Sequence, residues 1–205
     1  MVKEQLIARG ITNEKVLKAM GTVPRHFFVD QAFWPRAYSD HSLPIGYDQT
    51  ISQPYIVALI CNELKLPEEK KILEIGTGSG YQSAVMALMG YKVYTIERVA
   101  ELSKKAQIVI KKLDIKDIFL KIGDGTIGWQ EEAPFDSIIV TAGAPELPEK
   151  LMEQLQVNGR IVIPIGSKTA QSLQVIEKKE KMIEKRDICG CTFVPLVGEN
   201  GWASD

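Results

Sequence analysis

From residue 71 onward the chain alternates between two hydrophobic periods. Short apolar runs at 71–75, 91–97, 117–122, 135–141 and 160–165 predict strands, while apolar residues recurring every three or four positions predict helices over 79–89, 99–113 and 148–156. Strand and helix in alternation is the pattern of an α/β domain, with helices covering a mainly parallel sheet. Residues 171–177 and 182–189 instead alternate around Lys178-Lys179-Glu180-Lys181, a solvated hairpin tip, and predict antiparallel strands appended at the C-terminal edge, with 192–197 extending them.

Upstream of residue 71 the pattern is less regular. Residues 2–20 predict two short helices separated by Gly10-Ile11-Thr12-Asn13, with Thr12 or Asn13 as N-cap and Val16, Leu17 and Met20 as the apolar stripe. A third helix opens at Pro54 and runs to about Leu64. Between them, 21–53 carries Pro24, Pro35, Pro44 and Gly46 without periodicity. An irregular stretch of that length in a compact domain is usually a lid or binding loop, so the substrate side is expected there. The whole chain reads as one domain: an N-terminal substrate-side extension over 1–53, a β/α core over 54–165, and C-terminal strands and tail over 166–205.

The strand at 71–75 runs into Gly76-Thr77-Gly78-Ser79-Gly80, a tight strand-to-helix turn. Glycine lets the backbone approach a ligand closely, and the following helix start presents unpaired N–H groups. Tyr81 stands where a dinucleotide turn has its third glycine, and Glu74 precedes the turn. A carboxylate there repels a pyrophosphate and attracts an ammonium group, which favours S-adenosyl-L-methionine, with its charged amino-acid end, over NAD. Glu97 ends the next strand 21 residues after Gly76, the position of the ribose-binding carboxylate in dinucleotide folds. Its bland alternative is a cap on the helix beginning near Val99. Gly123-Asp124-Gly125 follows the third strand, where Asp124 either accepts from an adenine amino group or makes an ordinary Asp-Gly turn. Thr141-Ala142-Gly143-Ala144-Pro145 follows the fourth and offers an open floor near the methyl group, whereas Asp136 is expected to support the sheet.

Composition narrows the field. Hydrophobic residues at 45% and charged residues at 25% describe a globular chain, and the net charge of −1 provides no long-range field for nucleic acid. No segment approaches a membrane span, and Met1 to Leu6 has no signal-peptide core. Cys61, Cys189 and Cys191 lack zinc spacing and are expected as buried free thiols in a reducing cytoplasm; with His26 and His41 as the two histidines, no metal site is expected.

The stretch Leu43-Pro44-Ile45-Gly46-Tyr47-Asp48-Gln49-Thr50-Ile51-Ser52-Gln53-Pro54-Tyr55 is the other distinctive segment; by itself, Ser52 or Gln53 is simply an N-cap. Together with Val23-Pro24-Arg25-His26, the glycine turn, Tyr94 to Glu97, Gly123-Asp124-Gly125, Pro134 to Thr141 and Phe193 to Leu196, it resembles the protein-L-isoaspartate (D-aspartate) O-methyltransferases over nearly the whole chain. Gln49-Thr50-Ile51-Ser52-Gln53-Pro54 is close to diagnostic of that family; Asp48 and Gly143 depart from its pattern. The resemblance implies a Rossmann-like class I S-adenosylmethionine-dependent methyltransferase that methylates the abnormal carboxyl of L-isoaspartyl, and D-aspartyl, residues in damaged proteins and peptides, releasing S-adenosyl-L-homocysteine. It implies Ser52 as the active-site residue, and Glu74, Gly76, Thr77, Gly78, Ser79, Glu97, Gly123, Asp124, Gly125 and Thr141 around the cofactor. It implies a peptide path along Asp40, Ile45, Gln49, Thr50, Ile51, Val194, Pro195 and Leu196, and a monomer without nucleic-acid or membrane partners. A methyltransferase of another substrate class is the nearest alternative; an NAD-dependent oxidoreductase and a non-enzymatic cofactor-binding module are more distant.

Overall fold

The computed structural model describes residues 1–67 and 69–203, so the last two residues of the C-terminal segment lie outside the described residues. The N-terminus forms a π-type turn over Val2–Leu6 and a 3-10 turn over Ile7–Arg9, ended by Gly10 at φ 90°. Helix α1 (Glu14–Thr22) follows, with the Asn13 side chain accepting from the amides of Lys15 and Val16.

The stretch expected to be irregular contains more order than its sequence suggests. Two 3-10 turns, Arg25–Phe28 and Gln31–Arg36, precede a hairpin of β1 (Leu43–Gly46) and β2 (Gln49–Ile51). Both connecting residues, Tyr47 and Asp48, have φ of 55°, the backbone of a type I′ turn without its usual Asn-Gly signature.

Helix α2 (Pro54–Leu64) leads into β3 (Lys71–Ile75), α3 (Tyr81–Leu88), β4 (Lys92–Glu97), α4 (Ala100–Lys112), β5 (Ile118–Ile122), β6 (Phe135–Val140), α5 (Glu149–Gln154), β7 (Leu155–Gly166), β8 (Gln171–Lys178) and β9 (Ile183–Cys191). The seven-stranded sheet has the order β5-β4-β3-β6-β7-β8-β9, parallel through β7 and antiparallel beyond.

Two boundaries differ from expectation. The helix expected over 148–156 stops at Gln154, because β7 starts at Leu155 and absorbs Val157, Asn158 and Gly159 as a bulge, Asn158 taking φ 64°. Residues 192–197 do not extend the antiparallel strands: they leave the sheet and touch the loop after β6, where Gly143 N–H donates to the Val194 carbonyl and Leu196 N–H to the Gly143 carbonyl, both at 2.8 Å. Pro195 cannot donate to a ladder, which suits a departing strap.

Alternation along β3 organises the core. Ile72 packs with Val16, Met20, Ile60 and Met86 on the face covered by α1, α2 and α3; Leu73 and Ile75 pack with Ile96, Ile138, Val140 and Leu151 on the other. Since β3 neighbours both β4 and β6, the winding reverses there, and a crevice opens beyond the C-terminal ends of these strands.

Candidate active site

The glycine turn occupies that crevice. Gly76 has φ 96°, and a Cβ on it would collide with the hydroxyl of Thr141, which lies within hydrogen-bond distance of the Ile75 and Gly76 carbonyls at 2.9 and 2.7 Å. Only glycine brings β3 and the end of β6 this close. Gly80, at φ 84°, abuts Ala106 of α4, and α3 begins at Tyr81 rather than Ser79. The amide of Gly78 is taken up internally, since its N–H donates to Glu97 Oε2 at 2.8 Å.

Glu97 lines the resulting cavity while 6% exposed. Its other oxygen accepts from the Val99 amide at 2.9 Å, so the carboxylate joins the glycine turn to the start of α4. Glu97 thus braces the residue that precedes α4, whose N-cap Val99 carries no side-chain cap bond, and the carboxylate also lines the cavity. Each oxygen keeps a lone pair free of these amides, sufficient for a vicinal diol.

Strand alternation takes Glu74 elsewhere. It sits on the same face as Ile72, fully buried under α3, where Oε2 accepts from the hydroxyls of Ser83 and Thr95. Because Thr95 uses its single proton on Glu74, the 2.6 Å contact between Thr95 and Thr77 makes Thr77 the donor. Glu74 therefore does not line the cavity, and it communicates with it through the Thr95–Thr77 hydroxyl chain.

Burial pushes the Glu74 carboxyl up from about 4.5 to about 7; the Ser83 and Thr95 hydrogen bonds oppose this and the Glu97 charge adds to it. A carboxyl raised on folding binds its proton more tightly in the native state, so it favours that state at low pH and loses the contribution as pH climbs from about 4.5 through about 7. Glu74→Gln copies the protonated acid. It is expected to be more stable than the parent above pH 7, by roughly 2–4 kcal/mol, and to converge with it near pH 5. Parallel melting profiles between pH 5 and 9 would contradict this assignment.

Of the other sequence-assigned residues, Ser52, Gly76, Thr77, Gly78, Ser79, Gly125, Thr141, Gln49, Thr50, Ile51, Val194, Pro195 and Leu196 line the same cavity. Gly123 and Asp124 lie just outside it. Asp124 caps the turn Gly125–Ile127: Oδ1 accepts from the Thr126 amide and hydroxyl, and Oδ2 accepts from the Glu199 amide at 2.7 Å, tying the C-terminal strap across the crevice. Trp202 reinforces the strap with an indole N–H donated to the Gly143 carbonyl at 3.0 Å. Ile45 stands next to Gly78, in a neighbouring apolar groove, and Asp40 is paired with Arg9 at 2.7 Å. Asp136, expected to support the sheet, accepts from the Lys71 amide at 2.8 Å.

Ala142, part of the expected open floor after β6, also lines the cavity, whereas sequence reasoning missed several wall residues: Tyr81 and Gln82 at the start of α3, Arg98 after β4, and Val197. The first two were legible from the helix start adjoining the glycine turn. Cys61 is buried as expected, while Cys189 and Cys191 are only half-buried, being near the end of an edge strand. Among the described residues, no group of three or more His, Cys, Asp or Glu side chains is arranged to hold a metal ion, and no helix is long and apolar enough to cross a membrane.

The family model for protein-L-isoaspartate(D-aspartate) O-methyltransferase matches residues 1–201. The chain belongs to this family. A Geobacter metallireducens relative named protein-L-isoaspartate O-methyltransferase is 52% identical over 206 residues, covering 100% of this chain and 95% of its own. A solved structure of a protein-L-isoaspartate O-methyltransferase is similar with a TM-score of 0.89 at 28% identity, covering 98% of this chain and 67% of that one. Another, from Plasmodium falciparum and in complex with S-adenosyl-L-homocysteine, has a TM-score of 0.83 at 30% identity and 96% coverage of both chains. The chain is therefore a methyltransferase with the Rossmann-like fold of the S-adenosylmethionine-dependent enzymes.

Proposed function

We propose that the chain transfers a methyl group from S-adenosyl-L-methionine directly to the free carboxyl of L-isoaspartyl, and by the family's scope D-aspartyl, residues in damaged proteins and peptides. The position of Ser52 supports this. The cavity at the glycine turn meets a second one, whose walls include Ser42, Gln53, Ile56, Cys191 and Phe193, and Thr50, Ser52, Thr141 and Val194 belong to both. One cavity suits the cofactor and the other an acceptor side chain, with Ser52 where the two meet.

The residues present fit the cofactor: Glu97 offers acceptors to ribose hydroxyls, and the glycine backbone leaves space for a close approach. When bound, S-adenosyl-L-methionine supplies an electrophilic methyl group. The chain has to align the acceptor. An isoaspartyl carboxylate has a reference pKa of about 4 and is ionised near neutral pH, so it needs no general base. Neither cavity is lined by a histidine, which suits this chemistry. Orientation is what remains, and it supplies up to roughly 7–11 kcal/mol in favourable cases. A neutral hydroxyl at Ser52 aims the carboxylate without quenching its nucleophilicity, as a cation would. The S-adenosyl-L-homocysteine in the Plasmodium relative supports the cofactor assignment.

The unpaired thiols suit a reducing cytoplasm. The deciding experiment incubates the protein with methyl-labelled S-adenosyl-L-methionine and matched peptides containing Asp, isoAsp or D-Asp. The isoaspartyl peptide is expected to accept label about 100-fold faster than the aspartyl one, whose carboxylate is displaced by one methylene. Comparable labelling of the two would sink the proposal.

A further inference from the structure

Arg25 is fully buried, unusual for a residue whose desolvation costs several kcal/mol. It lies on the 3-10 turn Arg25–Phe28, remote in sequence from the residues it joins. Its Nε donates to the Ala37 carbonyl and its Nη2 to the Ser52 carbonyl, each at 2.7 Å, while the guanidinium lies 4.8 Å from the centre of the Tyr81 ring. Burial lowers its pKa to about 10, so it remains charged at neutral pH. The rigid guanidinium fork thus spans three separate segments: the turn at Ala37, the loop at Ser52 and the start of α3.

The loop depends on that contact. Helix α2 has Gln53 at its N-cap with no side-chain cap bond, and β2 ends at Ile51. Among the described residues, the bond from Arg25 is the one hydrogen bond made by Ser52. The orientation of the Ser52 peptide, and with it the direction in which Cβ projects the hydroxyl at the meeting point of the cavities, is consequently set by a side chain that lines neither of them.

We propose that Arg25 is a positioning residue for the transfer step, acting through the Ser52 carbonyl to aim the Ser52 hydroxyl at the acceptor carboxylate. This rests on the function proposed above. An ammonium lacks the planar fork and cannot hold both carbonyls in the same geometry, so lysine is not an equivalent here.

A double-mutant cycle tests it. Arg25→Lys and Arg25→Gln are each made in the parent and in the Ser52→Ala background, and kcat with an isoaspartyl peptide is measured alongside melting temperature and S-adenosyl-L-methionine affinity. In the parent each substitution is expected to lower kcat about 10-fold with cofactor affinity within about 2-fold; in the Ser52→Ala background the loss should shrink below about 2-fold. Parental kcat in either folded variant, or equal fractional losses in both backgrounds, would overturn the proposal. A loss of kcat matched by a loss of cofactor affinity would do the same, since it would mark general loosening. Failure of the underlying function would show separately, as a parent that does not methylate the isoaspartyl peptide, and would overturn both.

Discussion

If Glu97 holds the ribose as proposed, replacing it with alanine is expected to weaken S-adenosyl-L-methionine binding about 100-fold, equivalent to roughly 2.7 kcal/mol, by removing the acceptor for two ribose hydroxyls. The same carboxylate accepts from the amides of Gly78 and Val99 at 2.8 and 2.9 Å, so the variant also leaves two backbone donors without their partner at the glycine turn. A cost of about 1–2 kcal/mol in stability should accompany the binding loss, lowering the melting temperature by a few degrees. Glu97→Gln keeps one acceptor oxygen and should fall between parent and alanine variant in both measurements. Calorimetry showing parental affinity for a folded Glu97→Ala protein would remove Glu97 from the cofactor site and leave it a purely structural clasp.

Ser52→Ala is expected to lower kcat by about 10- to 100-fold, a loss of roughly 1.4–2.7 kcal/mol of positioning, with cofactor affinity nearly unchanged. The hydroxyl makes no capping bond to α2, and the Arg25 contact is to the backbone carbonyl, which alanine retains. Melting temperature should therefore move by no more than a degree or two, less than the loss of a true N-cap would cause. Full turnover in the variant would eliminate the positioning role. A methylated or peptide-bearing Ser52, sought by mass spectrometry after turnover, would contradict direct transfer to the substrate carboxylate; an unactivated serine without a partnered histidine is a poor nucleophile near neutral pH.

The α/β core was legible because its signals are local. A glycine turn after an apolar run, a carboxylate ending the next strand and small residues ending the fourth are all consequences of backbone geometry within a few residues, and the strand-helix alternation places them at one sheet edge. Local signals were weaker where tertiary partners decide the outcome. The β1–β2 hairpin carries no Gly at Tyr47-Asp48, and the bulge at Val157 to Gly159 reads as a loop until β6 pairs beside it. Residues 192–197 have strand-like composition but satisfy their backbone against Gly143 instead of β9.

The same distinction runs through the site. Local chemistry along the chain was enough to assign Glu97 and the glycine turn to one cleft, since each belongs to a short contiguous motif, whereas Ser52 was assigned only by the family resemblance. Only the packed structure decided that Glu74 turns under α3 towards Ser83 and Thr95, because the face a strand residue occupies depends on register against both neighbouring strands. Only packing, likewise, brought Arg25 to a carbonyl 27 residues away and put Asp124 beneath the C-terminal strap. Hydrogen bonds to backbone carbonyls and amides leave no side-chain pattern at their acceptor or donor positions, so these supports became visible only once the segments were folded together.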